Sequence, residues 1–573
     1  MTPTSYVLSI EKSTFEVIGR GSVFRAGELI VACSGFTYGT DAPRTGFEQA
    51  LDLAGAYRRL GERLSAQLTG QYSAVIVDKP MRIILLLQDS LGLRTTYYSD
   101  ERPRLVASSH LRQVVAHMGS TQVCDSFFAT YLVSGHHPAN LTPFVGIKRL
   151  SWGETIVVGR SQRRSLLPWR PSETPLVSHD PVDQLDVVLN SAIVSAVPAV
   201  GNVMCELSGG LDSSTVATYA ARRRPDLQAV TFGSASGRAG DDDQYASLVV
   251  EHLRIEWHRI DQDDLLVDFT ATPWAEPGAE RSSALRRAVY ELLDLGNFEV
   301  LLTGSGGDQA FGSVDILPIH VADHIMRGRV IRAWKEATDW RTTLAAARPE
   351  TFIVHTYGLK VLRRHLAGRS IAGWREPRVP GWLRPTFLND NTESRGDRRL
   401  PLDLSRPSAQ YFWELVLRLA AAEASAQNHA CPADIRHPLF YRPLLEFMAR
   451  IDPSHRRGSR GDRVLHRQLL QGQLCDEVVR RTTKGSNHQL KEEALQRSPQ
   501  WFDRLTQNPQ IAERGWVIED LWLDTCRKAR LGVVEDPEQF NAAVCSEFWL
   551  NALTDGGTPV SDTLVEVSET ESA

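Results

Sequence analysis

Two short glycine-rich segments each set an aspartate just after an apolar run. The first, Ser208-Gly209-Gly210-Leu211-Asp212-Ser213-Ser214, follows Val203 to Leu207 and leads into an alanine-rich, helix-prone stretch, Thr215 to Ala221. Glycines let backbone N–H groups face an anion, hydroxyls add donors, and the following helix presents its positive end. A carboxylate in such a loop would repel a bare polyphosphate, so Asp212 makes best sense with Mg²⁺ between it and the phosphate oxygens. The expected ligand is a Mg-nucleotide.

The second segment, Thr303-Gly304-Ser305-Gly306-Gly307-Asp308-Gln309, repeats the arrangement. A glycine turn with a solvated aspartate would explain either loop alone, but it explains two at equivalent strand ends poorly. As a pair, Asp212 and Asp308 could hold one or two Mg²⁺ ions across a pyrophosphate and neutralise the charge that develops when an α–β phosphate bond breaks. The chain has no Gly-Lys pair, so a Walker-type NTPase lacks its lysine.

The elements that must position these loops follow from the pattern. Short β-rich runs fill the first 160 or so residues: 6–10, 29–31, 73–77, 83–87, 105–108 and 155–158. Helical patterns at 47–64 and 126–133 interrupt them, so an α+β unit is expected. From Leu185 helices (185–197, 212–222, 243–253, 282–295) alternate with strands (203–207, 228–232, 255–260, 300–303), the signature of a parallel sheet covered by helices. Both glycine loops then fall at carboxyl ends of strands, where open parallel sheets bind ligands. Beyond about residue 314 the pattern is mostly helical. The expected organisation is a first domain over 1–165, a linker over 166–183, a second domain over 184–554 and a disordered acidic tail over 555–573.

At 573 residues the chain exceeds one ordinary core. With 64 basic and 69 acidic residues no global field favours nucleic acid or an anionic membrane. No apolar run approaches a membrane span and no signal-peptide pattern opens the chain, so a cytoplasmic protein is expected. Seven scattered cysteines without Cys-x-x-Cys indicate neither a disulfide framework nor a zinc site.

The 208–213 segment resembles the pyrophosphatase loop of the asparagine synthetase family, and 304–308 resembles that family's second metal-binding loop. Arg436-His437-Pro438-Leu439-Phe440 with Leu444-Leu445-Glu446-Phe447, and Asp476-Glu477-Val478-Val479-Arg480-Arg481-Thr482-Thr483-Lys484-Gly485, are similar to later family motifs. Asp89-Ser90-Leu91-Gly92-Leu93-Arg94-Thr95-Thr96-Tyr97-Tyr98 and Ala107-Ser108-Ser109 resemble the preceding glutaminase-type domain. The resemblance implies an N-terminal glutaminase-like (Ntn-type) α+β domain and a C-terminal parallel-sheet synthetase domain of pyrophosphatase type with helical additions. It implies ATP and Mg²⁺ as cofactors and carboxylate adenylation followed by amide formation. It implies nucleotide contacts at Leu207, Ser208, Gly209, Gly210, Asp212, Ser213, Ser214, Phe232, Thr303, Gly304, Gly306 and Gly307, metal ligation by Asp212 and Asp308, and Lys484 as the catalytic lysine.

The sequence departs from that pattern in three places. Glutamine-dependent relatives expose an N-terminal cysteine, whereas this chain begins Met1-Thr2 and its first cysteine is Cys33, so no glutaminase activity is expected. Thr2 is disfavoured as a substitute nucleophile by Pro3. Ser305 stands where asparagine synthetases carry Glu and β-lactam synthetases Tyr; a lone serine is a poor base unless another group activates it. Tyr441 stands where many relatives have an aspartate. The pattern most resembles lasso-peptide macrolactam synthetases. It implies a core-peptide substrate whose Asp or Glu side chain is joined to its own N-terminal amine, with the leader peptidase and leader-recognition protein of the same pathway as partners. A small-metabolite amide synthetase is the alternative. Arg327, Arg329, Arg332, Arg363, Arg364, Trp374 and Trp382 could shape a peptide cleft, although a solvated face and core packing would also explain them.

Overall fold

The β-rich first third builds two antiparallel sheets that face one another. A computed structural model of the chain describes residues 5–11, 14–20, 23–38, 43–99, 101, 104–119, 121–159, 162–173, 180–234, 242–262, 265, 275–278, 283–312, 317–341, 348–372, 379–391, 404–426, 431–452, 455–458, 461–482 and 499–555. Lys484, Thr2, Trp374 and the tail from 556 lie outside these residues. One sheet runs, in spatial order, Lys148–Arg149, Tyr97–Ser99, Arg104–Ser108, Ser5–Glu11, Thr14–Arg20. The other runs Arg163–Leu166, Thr155–Val158, Ile83–Gln88, Gly70–Asp78, Leu29–Tyr38, Val23–Ala26, with Pro43–Thr45 also paired to Leu29–Tyr38. Alternate residues from both, among them Tyr6, Leu8, Ile30, Val75 and Leu86, fill the layer between. The helix Gly46–Leu60 covers the second sheet through Leu53, Ala54 and Ala56.

The outer face of the first sheet is covered partly by distant chain. Phe127, Phe128 and Tyr131 share a core with Trp516, Trp522, Phe540 and Trp549, and Phe128 stacks on Trp516 at 4.5 Å. The closing helices Glu519–Arg530 and Pro537–Asp555 therefore pack beside the first domain.

A five-stranded parallel sheet forms the second half, in the order Glu256–Asp261, Gln228–Gly233, Asn202–Glu206, Phe298–Leu302, Asp434–Arg436. Its central strands are apolar because helices cover both faces: Val203, Met204 and Cys205 are buried, as are Val300, Leu301 and Leu302. The helix Pro181–Val194 leads in. Its start is fixed by Pro181 and by the Asp180 carboxylate, which accepts from the Val182 and Asp183 N–H groups at 3.1 Å. From Asn202–Glu206 the chain builds outward to one side, then returns to add Phe298–Leu302 on the other. These two neighbours mark the topological switch point, where a crevice opens at the carboxyl ends. The edge strand Asp434–Arg436, too short for a periodic signal, interrupts the helices expected beyond 314.

Candidate active site at the switch point

Both glycine loops leave the two strands that flank this crevice. After Glu206, Leu207 continues the sheet, its N–H donating to the Val230 carbonyl at 2.9 Å. Gly209 turns the chain at φ 64°, where a Cβ would lie 2.5 Å from Ala246 N, so only glycine fits. The helix Leu211–Arg223 then starts with its first turn toward the loop. Ser213 Oγ fixes the loop from inside, accepting from Ser208 N at 3.2 Å and donating to Gly210 O at 3.1 Å. Ser214 Oγ is buried without a hydrogen-bond partner among the described residues. Phe232 lies on the next strand, half-buried.

The second loop packs directly on the first. A Cβ on Gly307 would stand 2.2 Å from Asp212 Cγ, and one on Gly304 2.7 Å from Ser213 N, so the aspartate of one loop rests on the glycine of the other. Asp212 and Asp308 converge on one cation, the guanidinium of Arg463: Nη1 lies 2.5 Å from Asp212 Oδ1, and Nη2 contacts Asp308 Oδ1. Burial alone would lower the Arg463 pKa, but the two carboxylates and Asp462 hold it above its usual value. The residues fit a Mg-nucleotide. Two carboxylates already share a positive charge at a helix N-terminus, and Mg²⁺ is commonly held by one or two carboxylates together with phosphate oxygens and water. Among the described residues there is no group of three or more His, Cys, Asp or Glu that would make an all-protein metal cage.

Arg463 has no signal in the sequence beyond being basic; it lies 251 and 155 residues from the acids it joins. Arg481 was visible only as part of a basic run. It donates to the Ser208 carbonyl at 3.2 Å and lies over the Tyr245 ring, so the chain three residues before Lys484 runs along the mouth of the first loop.

Ser305 Oγ donates to Glu423 Oε1 at 2.8 Å, reaching the helix Pro407–Ala426. Ser305 is thus not a lone serine: a carboxylate stands in position to accept its proton. Behind it, burial raises the Glu206 pKa while Arg286 opposes the rise. Thr303 Oγ1 lies 2.7 Å from His437 Nδ1 and accepts from Ser305 N at 3.3 Å. Burial, foremost, keeps His437 below the usual imidazole range.

His437 is also where the first domain grips the site. Gln71 Nε2 donates to the His437 carbonyl at 2.8 Å, and His437 N donates to Gln71 Oε1 at 3.3 Å. Arg94 pairs with Asp434 and donates to the Ile435 carbonyl at 2.8 Å. Tyr441 meets Tyr38 edge-on at 4.8 Å, giving the unusual tyrosine a place at the domain interface, and Arg442 donates to Ser90 Oγ at 2.9 Å. Cys33 is buried, which pushes its thiol pKa well up, away from nucleophilic chemistry.

Of the arginines and tryptophans considered for a peptide cleft, Trp374 lies outside the described residues. Trp382 is core, edge-on to Trp522 at 5.4 Å, while Arg327, Arg329, Arg332 and Arg363 face solvent and Arg364 donates to the Ser370 carbonyl. Packing and solvation account for these residues. No helix among the described residues is long and apolar enough to cross a membrane.

Both halves of the chain match known families. Residues 184–550 match the family model described as asparagine synthase, and residues 51–169 match that of a glutamine amidotransferase domain. The chain is 22% identical over 327 residues to asparagine synthetase (glutamine-hydrolyzing) 2 of Bacillus subtilis, covering 49% of this chain and 43% of that protein. It is 23% identical over 286 residues to amidase chyE of Penicillium rubens, covering 45% of this chain and 42% of that protein. The chain thus spans less than half the length of these relatives. With two glycine loops at the switch point, two aspartates on one cation and a family match over most of its length, the chain belongs to the asparagine synthase family.

Proposed function

We propose that the protein is an ATP-dependent carbon–nitrogen ligase: a carboxylate attacks ATP to give an acyl-adenylate and pyrophosphate, then an amine attacks the acyl carbon and AMP leaves. The observation that carries this reading is the convergence of Asp212 and Asp308 on a single cation at neighbouring strand ends. Mg²⁺, when bound, supplies positive charge between those carboxylates and the polyphosphate. The chain's own groups do the rest. The first turn of Leu211–Arg223 and the Ser208, Ser213 and Ser214 hydroxyls orient phosphate oxygens, and Phe232, Thr303, Gly304, Gly306 and Gly307 border the nucleotide. Lys484 contributes positive charge as the acyl centre becomes tetrahedral. Ser305 takes a proton from the attacking amine and relays its own to Glu423.

In the finer reading the amine and the carboxylate belong to one core peptide, as in lasso macrolactam synthesis, and the product is an isopeptide ring. Support comes from Ser305 itself: a hydroxyl buttressed by Glu423, in place of the acid of ammonia-using relatives, suits an amine carried by the substrate. The leader peptidase and leader-recognition protein are the proposed partners. The likeness to an asparagine synthetase favours a second reading, a small-molecule amide synthetase. Incubation with ATP, Mg²⁺ and a synthetic core peptide tests both. Loss of one water from the peptide, with AMP and pyrophosphate formed, supports cyclisation, whereas turnover of aspartate with ammonia alone supports the second reading. An Asp212→Asn protein that still releases pyrophosphate would sink the metal assignment.

A further inference from the structure

Gln309, the residue after Asp308, turns away from the paired aspartates to line a separate cavity with His320, Trp340, Tyr411, Phe412 and Arg456. The enclosed space is small, about 30 Å³, and it opens to solvent at its mouth. Most of the wall is aromatic or aliphatic, and two polar groups in it are unsatisfied. Arg456 is only 8% exposed, and its Nε has no hydrogen-bond partner among the described residues. Its guanidinium lies over the Phe412 ring, 4.9 Å from the centroid, and makes no ion pair among the described residues. Asp323, a carboxylate that acts on Arg456 electrostatically, accepts hydrogen bonds from Ser408 N at 3.0 Å and Ser408 Oγ at 2.5 Å instead. Burial, with the Arg406 cation beside it, pushes Arg456 down to about 10, although Asp452 and Asp323 pull the other way. Gln309 Oε1 is likewise buried without a donor among the described residues. His320, by contrast, is held by Glu336, which also accepts from Trp340 Nε1 at 2.9 Å.

A buried cation and a buried acceptor, both lacking partners on one apolar cavity, leave desolvation uncompensated until something binds. The missing partner must bring an anion for Arg456, an N–H for Gln309 and a small apolar body for the aromatic wall. A carboxylate next to an amide, as in an amino-acid residue of a peptide, meets all three demands. We propose that this cavity is a recognition subsite for a carboxylate of the substrate, in which Arg456 binds the carboxylate and Gln309 accepts from the neighbouring amide N–H. That the ligand is a substrate rests on the ligase reading; the binding itself does not. The subsite adjoins the loop carrying Ser305 and Asp308, so it would hold a substrate by a group other than the one being activated.

The test is ligand-observed NMR titration of the full-length protein without ATP. Three probes separate the sources of the carboxylate: N-acetyl-aspartic acid α-amide carries it on the side chain, N-acetyl-alanine at the terminus, and N-acetyl-alaninamide not at all. At least one of the first two should bind, the neutral amide should not, and the better binder identifies the source. Arg456→Gln should weaken binding about tenfold or more, the usual cost of losing a charged hydrogen bond, while Arg456→Lys keeps part of the affinity. Gln309→Leu should weaken it several-fold, and this variant decides the matter if Arg456→Gln does not fold. Failure of both carboxylates to bind, equal binding of the neutral amide, or affinity unchanged in the variants would overturn the subsite. Carboxylate binding by a protein that never releases pyrophosphate would overturn the ligase reading and leave the subsite standing.

Discussion

Arg463 Nη1 lies 2.5 Å from Asp212 Oδ1, so the aspartate read as a metal ligand is already paired with a cation. The same guanidinium contacts Asp308, and its side chain is only 8% exposed. Two carboxylates in this setting would repel one another without it.

Removing that guanidinium gives the first prediction. Breaking a buried ion pair costs about 3–5 kcal/mol because the remaining charges stay buried. Arg463→Gln should therefore melt well below the parent protein in chelator, and millimolar Mg²⁺ should restore more of its stability than it adds to the parent. Thermal unfolding with and without Mg²⁺ measures this. An equal response of the two proteins would mean that the aspartate pair is not a cation site.

A second prediction separates the two half-reactions. Glu423→Gln keeps an acceptor for Ser305 Oγ but removes the base, and general base catalysis contributes about 10²–10⁴-fold. Adenylation should survive in this variant, read as pyrophosphate exchange into ATP, while amide product falls by about 10² or more. Ser305→Ala should behave alike, and the two together should cost little more than either alone. Loss of exchange in parallel with product would assign the pair to nucleotide binding instead.

The sequence announced the loops and the alternating strands and helices of the parallel sheet because each is a local signal, whereas the switch point depends on strand order and emerged only in the fold. An apolar run followed by glycine, hydroxyl and aspartate is one continuous segment, and the central strands were long enough to show their pattern. Arg463, Glu423 and Gln71 were illegible for the opposite reason: each acts on a residue more than a hundred positions away and looks alone like an ordinary polar residue. The strand Asp434–Arg436 has three residues, too few for a period. Trp382 was open to two readings because residue type does not say whether a helical face meets solvent, a cleft or, as here, another helix.

The third prediction concerns acid. Burial keeps His437 below its usual value and His466 well below it, and His466 sits 2.7 Å from Thr215 Oγ1 under the first loop. The unfolded chain binds these protons at a pH near 6.5 and the folded chain does not, so stability is present above about 6.5 and falls as pH drops through the window below it. Replacing His466 by Gln should flatten the slope of unfolding free energy against pH by up to about one proton between roughly pH 6.5 and 5. Denaturant unfolding across that range checks it, and an unchanged slope would show that His466 does not titrate differently on folding.

The last prediction treats the first domain as a support for the second. Gln71 spends both ends of its amide on the His437 backbone, and His437 in turn meets Thr303 at the root of the Ser305 loop. Gln71→Ala leaves a buried N–H and a buried carbonyl unpaired, each worth about 1–3 kcal/mol. Gln71→Glu keeps the acceptor for His437 N but sets a carboxylate against the His437 carbonyl, so it should be no better. Both variants should lower the melting temperature and, through Thr303, loosen the loop, raising the ATP concentration needed for pyrophosphate exchange more than they lower its maximal rate. Gln71 reaches Thr303 only through His437, so a stability loss with unaltered ATP dependence would confine it to holding the domains together, whereas a shifted ATP dependence makes the glutaminase-like domain part of the synthetase site.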